Sequence, residues 1–148
     1  MHPMIDHLRS LATSRGDRVA RAREAAEYIR AARGYHWIGL YDVTPSHITA
    51  IAWTGTTAPA YPTFPRSQGI NGAAVAAGTP IVVQDVREDP RYLTAFGTTR
   101  AEAIFPVRGP DTTIVGTIDV ESEHVNAFTA EDEAFLVQCA TALAPLWG

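Results

Sequence analysis

The sequence predicts an α+β fold in which helices cover an antiparallel sheet. Two pairs of apolar, strand-like segments are each separated by a short turn, and adjacent strands joined by tight turns pair antiparallel. Helical patterns precede the first pair and follow the second. The chain has 148 residues, 46% of them hydrophobic, which is enough for one core. We therefore expect a single domain over residues 1–148.

Both ends of the chain are predicted to be amphipathic helices. Residues 1–33 form an N-terminal helical segment with a break near Gly16. Its apolar positions are Ile5, Leu8, Leu11 and Ala12 before the break and Val19, Ala22, Ala26 and Ile29 after it. The C-terminal helix covers residues 129–147 and is capped by Thr129. Its buried side is predicted to contain Leu136, Cys139, Leu143 and Trp147.

The central elements follow from composition. Aromatic and β-branched residues predict a hairpin of strands at 35–43 and 47–53. Residues 54–66 contain three prolines and four threonines, so we expect a loop there. The elements that follow are a short helix at 69–77, a short strand at 81–83, a polar connection at 84–99 and strands at 101–107 and 113–122.

Three carboxylates are predicted to meet on one face of the second strand pair. Asp119 and Glu121 are two residues apart, so both point to one face of the sheet, while Ile118 and Val120 point to the other, toward a core. If the two strands pair, Glu102 reaches the same region. Three such carboxylates repel each other unless a cation meets them, which favours a cation-binding pocket, most simply for an ammonium group. The alternative is a solvent-exposed face of alternating polar residues.

Two further groups could complete such a pocket. The start of the short helix, at Gly69, Ile70 and Asn71, could present free N–H groups to a ligand carboxylate. Together with the three carboxylates, that would suit an amino-acid zwitterion; the alternative is a tight turn that needs glycine. Trp37 and Tyr41 lie on one strand face, where they could wall the pocket and attract a cation. Core packing is the alternative for these rings.

Composition excludes several other classes of function. The net charge of −4 gives no reason to expect nucleic acid or an anionic membrane as a partner. No apolar run approaches the ~20 residues of a membrane span, and residues 1–10 lack a signal-peptide core, so we expect a cytoplasmic protein. Cys139 is the only cysteine, which excludes an intrachain disulfide or a cysteine-based zinc cluster. The five histidines have no ligand spacing, so we expect no metal and no cofactor.

Six motifs together resemble those of a GAF domain over nearly the whole chain. They are Y-H-W-I-G-L-Y at 35–41, G-I-N-G-A-A at 69–74, Q-D-V-R-E-D-P-R-Y at 84–92, A-E-A-I-F-P-V at 101–107, V-G-T-I-D-V-E-S at 115–122 and F-T-A-E-D at 128–132. The resemblance implies a small-molecule sensor fold with a six-stranded antiparallel sheet flanked by helices. It also implies that the N- and C-terminal helices pack together, and many GAF domains dimerise through them.

Within that superfamily the chain resembles the free methionine-(R)-sulfoxide reductases, which are stand-alone GAF proteins. The family's aromatic strand is matched by residues 37–41, its Ser-Glu pair by residues 101–102, and its Leu-Asp-Ile-Asp-Ser motif by residues 118–122. In the family, these acidic residues and the tryptophan contact the bound amino-acid substrate. The resemblance therefore implies ligand contacts for the corresponding residues here, Trp37, Glu102, Asp119 and Glu121.

The chain departs from that family where the chemistry requires cysteine. The family's cysteine at the start of the short helix is replaced by Asn71, and its nucleophilic cysteine, seven residues before the glutamate, is replaced by Ala95. Sulfoxide reduction by this route needs a thiolate and normally a resolving thiol, which neither side chain supplies. Cys139 lies on the apolar stripe of the last helix, where free cysteine behaves as a small hydrophobic residue. Asn71 and Ala95 are therefore expected to contact ligand without redox catalysis.

Three functions are compatible with the sequence. The first is a sensor domain that binds an amino acid or another ammonium-bearing ligand; it is more consistent with the missing thiols than an enzyme is. The second is a divergent reductase related to the sulfoxide reductases. The third is a dimerisation or interaction module. The expected partners are a small molecule, a second copy of the chain through the terminal helices, and a separate signalling protein.

Overall fold

The computed structural model of the protein describes residues 2–55, 57–93 and 97–148, which form four α-helices and six β-strands. In chain order these are α1 (Pro3–Thr13), α2 (Arg18–Arg33), β1 (Trp37–Val43), β2 (His47–Thr54), β3 (Thr63–Pro65), α3 (Gly69–Ala77), β4 (Ile81–Val83), β5 (Ala101–Arg108), β6 (Ile114–Ser122) and α4 (Ala130–Leu143). Short 3₁₀ turns lie at Val86–Glu88 and Ala144–Trp147. The predicted α+β class is confirmed.

Local sequence explains where the helices begin and end. The Asp17 side chain accepts a hydrogen bond from the Ala20 N–H and so begins α2, and Gly34 ends that helix in the left-handed conformation. At α4, Thr129 and Asp132 bond to each other's backbone N–H groups in a capping box. The predicted break near Gly16 and the predicted cap at Thr129 are both confirmed.

The six strands form one antiparallel sheet in the order β3-β2-β1-β6-β5-β4. Glu102 of β5 lies directly opposite Glu121 of β6, and on the other side of β6 Trp37 of β1 also lies opposite Glu121. Gly39 is the partner of Asp119. Because residues directly opposite each other share a face, this register gathers the predicted site residues of three strands on one side of the sheet.

The two faces of the sheet pack against different layers. One face carries the main apolar core beneath α1, α2 and α4, and Ile118 and Val120 point into it as predicted. In the same layer α1 packs against α4, so the terminal helices contact each other as expected. The opposite face packs against α3 and its flanking segments through two smaller apolar clusters. Among the described residues, no helix combines the length and apolar character that crossing a membrane needs.

Three local predictions are wrong. The C-terminal helix does not continue as an α-helix to residue 147, because α4 ends at Leu143 and Ala144–Trp147, which contains Pro145, forms a 3₁₀ turn. Residues 54–66 are not all loop, because Thr63–Pro65 pairs with β2 as the sheet's edge strand; proline is tolerated there since an edge strand needs only one side's hydrogen bonds. Val19 is 49% exposed instead of buried. It lies in the first turn of α2, and burial of that helix begins one turn later, at Ala22, and includes Ala25.

Candidate functional site

Three buried carboxyl groups define the centre of the sheet face that α3 covers. We call Glu102, Asp119 and Glu121 the acidic cluster. One oxygen from each residue lies within 4.8 Å of the others. Strand alternation places Asp119 and Glu121 on one face, and the β5–β6 pairing brings Glu102 directly beside them. Exposure of the three residues is 6%, 3% and 0%, so the alternative of a solvent-exposed face is wrong.

The electrostatics of the acidic cluster are unfavourable to charge. Burial, reinforced by the charges of Asp119 and Glu121, raises the pKa of Glu102 well above its usual value. Burial raises the pKa of Asp119 to about 7. Burial, together with the charge of Asp119, also raises the pKa of Glu121 well above its usual value. The hydrogen bond from Thr99 acts in the opposite direction and lowers this pKa, but by less. The cluster therefore retains protons at a pH where carboxyl groups are normally ionised.

Hydrogen bonding satisfies the acidic cluster only in part. The Thr99 hydroxyl donates to Glu121 Oε1 at 2.8 Å. Asp119 Oδ1 and Glu121 Oε2 are fully enclosed and make no geometrically complete hydrogen bond within the described part of the chain, although the Glu102 carboxyl approaches both residues and the Tyr92 hydroxyl approaches Glu121. Buried polar atoms in native proteins normally have partners, so such exceptions call for an explanation such as a ligand, an ion or a proton.

A small cavity of about 20 Å³ lies beside Glu102 and Asp119. Its other walls come from β1, the segment around β3, the start of α3 and the connection before β5: Tyr41, Pro59, Tyr61, Phe64, Gly69, Ile70, Asn71 and Leu93. This volume holds about one water molecule or one ammonium group. A larger ligand therefore requires the wall residues from the connecting segments to move outward.

The two aromatic residues predicted on β1 have different positions. Tyr41 lines the cavity, whereas Trp37 is not among the residues that line it. The Trp37 indole N–H donates a hydrogen bond to the Thr57 carbonyl at 2.9 Å. Both rings lean over Gly39, where an added Cβ would lie 2.3 Å from Trp37 Cη2 and 2.8 Å from Tyr41 Cε1. Gly39 is thus required for the rings to sit beside Asp119. Burial and nearby acidic charges raise the pKa of Tyr41 well above its usual value, so its hydroxyl stays neutral.

The start of α3 forms another wall of the cavity. Gly69 has a φ of +73°, a conformation that favours glycine, so the alternative of a turn that needs glycine is correct and coexists with a place in the cavity wall. Gln68 precedes the helix without a side-chain cap. Asn71 is buried and its Oδ1 accepts a hydrogen bond from the Thr117 hydroxyl at 2.6 Å.

The structure thus brings together most of the predicted site. Tyr41, Gly69, Ile70, Asn71, Glu102 and Asp119 line the cavity, and Glu121 and Trp37 adjoin it. The remaining predicted residue, Ala95, lies outside the described residues. Sequence reasoning missed Pro59, Tyr61, Phe64, Leu93, Thr99 and Thr117. Of these, Thr117 had a signal, since it lies two residues before Asp119 on the same strand face.

Comparison with known proteins establishes the class of this fold. The model of the GAF domain family matches residues 13–146. The chain therefore belongs to the GAF domain family, whose fold is a small-molecule-binding sensor fold.

The chain is also similar to several individual proteins, two of which are reductases. It is 28% identical to a type II free methionine-R-sulfoxide reductase from Thermoplasma acidophilum, with a TM-score of 0.83 over 95% of this chain and 94% of that one. It is 26% identical to a free methionine-R-sulfoxide reductase from Neisseria meningitidis solved with its substrate, with a TM-score of 0.86 over 97% and 86%. It is also 26% identical to the protein YtsP of Bacillus subtilis, over 95% of this chain and 86% of the relative.

Proposed function

We propose that this GAF domain binds an amino acid or another ammonium-bearing small molecule at the acidic cluster, without redox catalysis. The observation that carries the proposal is the pair of enclosed carboxyl oxygens, on Asp119 and Glu121, that no described residue satisfies. A bound ammonium group supplies both hydrogen-bond donors and positive charge to these atoms.

The spacing of the carboxyls supports an ammonium group. An ammonium group donates three N–H···O hydrogen bonds with N···O distances of about 2.8 Å, so it can bridge three acceptor oxygens that lie within about 5 Å of one another. In the acidic cluster, one oxygen from each carboxyl lies within 4.8 Å of the others. The small cavity beside them has room for such a head group, and Tyr61 and Phe64 line its apolar side.

The start of α3 supports a ligand that also carries a carboxylate. The first N–H groups of a helix have no partner within the helix, and here no side chain caps them. They belong to residues that line the same cavity as Glu102 and Asp119. An amino-acid zwitterion placed across the cavity would meet a charge or dipole of opposite sign at each end.

The missing thiols argue against a redox reaction. Asn71 occupies the helix start, where it is bonded to Thr117. Cys139 is fully buried in the core on the other face of the sheet, and burial raises the pKa of its thiol to about 12. A thiol that neither ionises nor reaches the cavity cannot attack a ligand bound there.

A divergent reductase remains the second candidate, because two reductases match almost the whole chain with TM-scores above 0.8. Incubating the purified protein with free methionine sulfoxide and a dithiol donor tests it. We expect no turnover above a blank without protein. Turnover that disappears in Cys139→Ser would instead establish the enzyme.

The binding proposal is tested by a thermal-shift screen of the twenty amino acids and simple amines at pH 7. A ligand at 100 times its Kd stabilises the folded state by about 2.7 kcal/mol, which is readily detected. Asp119→Asn should abolish the shift. Glu123→Gln is the matched control, because it removes an exposed carboxylate just after β6 and should leave the shift unchanged. A screen without hits, or hits that Asp119→Asn leaves intact, would contradict the proposal.

We also propose that the protein assembles as a homodimer through α1 and α4 and signals to a separate protein. The support is that α1 packs on α4 while Val137, on α4, is 45% exposed. Light scattering across micromolar concentrations tests the assembly, and Val137→Asp should shift it toward the monomer. A monomer mass at every concentration would contradict this part of the proposal without affecting ligand binding.

A further inference from the structure

The acidic cluster holds three ionisable groups, and within the described part of the chain no cation forms an ion pair with any of them. The chain contains no lysine, and each ion pair that an arginine forms among the described residues is with a carboxylate outside the acidic cluster. The described groups that face the cluster from other elements are hydroxyl and amide side chains: Tyr41 of β1, Asn71 of α3, and Tyr61, Tyr92 and Thr99 of the connecting segments.

Protons are therefore the counterions of the acidic cluster. Carboxyl groups this close together and this dehydrated cannot all ionise, so they share protons and titrate as a set. The Glu102 carboxyl lies within hydrogen-bond reach of both Asp119 and Glu121, which is the arrangement that a shared proton needs. A cation that enters the cluster does so in competition with these protons.

We propose that the acidic cluster binds a primary ammonium ion in exchange for a proton. The inference rests on the proposed function and specifies how that site takes its ligand. The ammonium enters with its three N–H bonds intact, one carboxyl O–H bond breaks, and that proton leaves to solvent. The net charge of the buried site is then the same before and after binding, which avoids the cost of adding an unpaired charge.

Two consequences follow for the ligand. One oxygen from each of the three carboxyls lies within 4.8 Å of the others, so one ammonium group with several N–H donors can bond to all three. A primary ammonium has three such donors and binds, whereas a quaternary ammonium has none and does not. Affinity also increases with pH, about tenfold per pH unit between pH 5 and 7 if one proton is released. The increase ends where the amine of the ligand itself loses its proton.

The test uses isothermal titration calorimetry with butylamine and L-leucine as probes and butyltrimethylammonium as the matched negative. Titrations at pH 7 in PIPES and in MOPS, which take up protons with different heats and contain no primary amine, give the number of protons released. A second measurement, ¹³C NMR of the side-chain carboxyls in the ligand-free protein, shows directly whether the cluster holds protons at pH 7. Glu123→Gln is the control, and Asp119→Asn removes one titrating member.

The expected result is binding of a primary amine with release of about one proton, no binding of butyltrimethylammonium, and proton release that Glu123→Gln leaves unchanged. Binding without proton release, or three ionised carboxyls at pH 7 in the NMR titration, would overturn the exchange while leaving the proposed function in place. Protonated carboxyls with no binding of either primary amine would overturn both, since the exchange rests on the ligand class.

Discussion

Asp132 and Asp119 are both almost fully buried, yet their surroundings differ completely. At the start of α4, Asp132 Oδ1 accepts hydrogen bonds from Arg33 at 2.5 Å and from the Tyr35 hydroxyl at 2.7 Å, and its Oδ2 accepts from the Thr129 N–H at 2.9 Å. Burial alone would raise the pKa of Asp132, but these hydrogen bonds lower it to about 2. Asp119 has no cation beside it, and burial raises its pKa to about 7.

The comparison shows that partners, and not burial, decide what a buried carboxyl does. The Asp132 carboxylate finds its hydrogen-bond donors and its counterion within the fold. It caps α4, and its ion pair with Arg33 links α4 to the end of α2. The acidic cluster is incomplete, since two of its enclosed oxygens are unsatisfied among the described residues. A buried group satisfied by its own chain stabilises the fold, whereas an unsatisfied one marks a place where a ligand can act.

The largest effect is expected from Asp132→Ala. The change removes the capping box and leaves the Tyr35 hydroxyl and the Arg33 guanidinium without their acceptor. We expect the free energy of unfolding to fall by about 3 kcal/mol at pH 7, measured by urea denaturation. Glu131→Ala, at the exposed neighbouring position, is the control and should change it by less than about 0.5 kcal/mol. Equal effects of the two changes would remove the distinction drawn for Asp132.

Next in size is the pH dependence of the ligand-free protein. Asp119 binds a proton more tightly folded than unfolded, so the stability from that proton is complete below about pH 4 and is lost as the pH rises through 7. One such proton changes the free energy of unfolding by about 1.4 kcal/mol per pH unit. We expect a fall of about 2 kcal/mol between pH 5 and 7 in urea denaturation.

Asp132 produces the opposite dependence in a separate window. Its pKa is depressed, so its contribution is present above about pH 4 and is lost as the pH falls through 2. Stability should therefore pass through a maximum between these two windows. A profile that rises steadily from pH 5 to 8 would show that the acidic cluster is ionised in the folded protein.

Asp119→Asn should have a smaller effect of the opposite sign to Asp132→Ala. The amide is nearly the same size but cannot carry a charge, so it removes one member of a repelling set. We expect the ligand-free free energy of unfolding at pH 8 to rise by about 1 kcal/mol, with a flatter dependence on pH. Glu123→Gln again serves as the control. A loss as large as that of Asp132→Ala would mean that Asp119 serves the fold, as Asp132 does.

The sequence predicted the acidic cluster because its assembly depends on two simple rules. Strand alternation places Asp119 and Glu121 on one face, and a tight turn between adjacent strands brings in Glu102. The helix start at Gly69–Asn71 was recognisable from its glycines and small residues. These elements are local in sequence, and the sheet register then brings them together.

What could not be predicted depends on contacts between distant segments. Tyr61, Phe64 and Leu93 line the cavity from connections without periodicity, so nothing in their spacing indicates which way they point. The edge strand β3 forms by hydrogen bonding to β2, although the segment around it is rich in proline. Nor could the different positions of Trp37 and Tyr41 be predicted, since they follow from the bond between the indole and the Thr57 carbonyl.

The last prediction concerns the accessibility of a third buried ionisable group, the thiol of Cys139. It lies in the apolar core beneath α4, and burial raises its pKa to about 12, so it is neutral and has no charge to satisfy. A thiol reagent at pH 8 should therefore label the native protein at least about a thousandfold more slowly than the urea-unfolded chain, because labelling requires opening of the fold. The same change that stabilises the fold, Asp119→Asn, should slow labelling further, whereas Asp132→Ala should speed it, since α4 loses its cap. Rapid labelling of the native wild type, unaffected by either variant, would show that Cys139 is accessible, and the argument against a redox reaction would then lose its structural support.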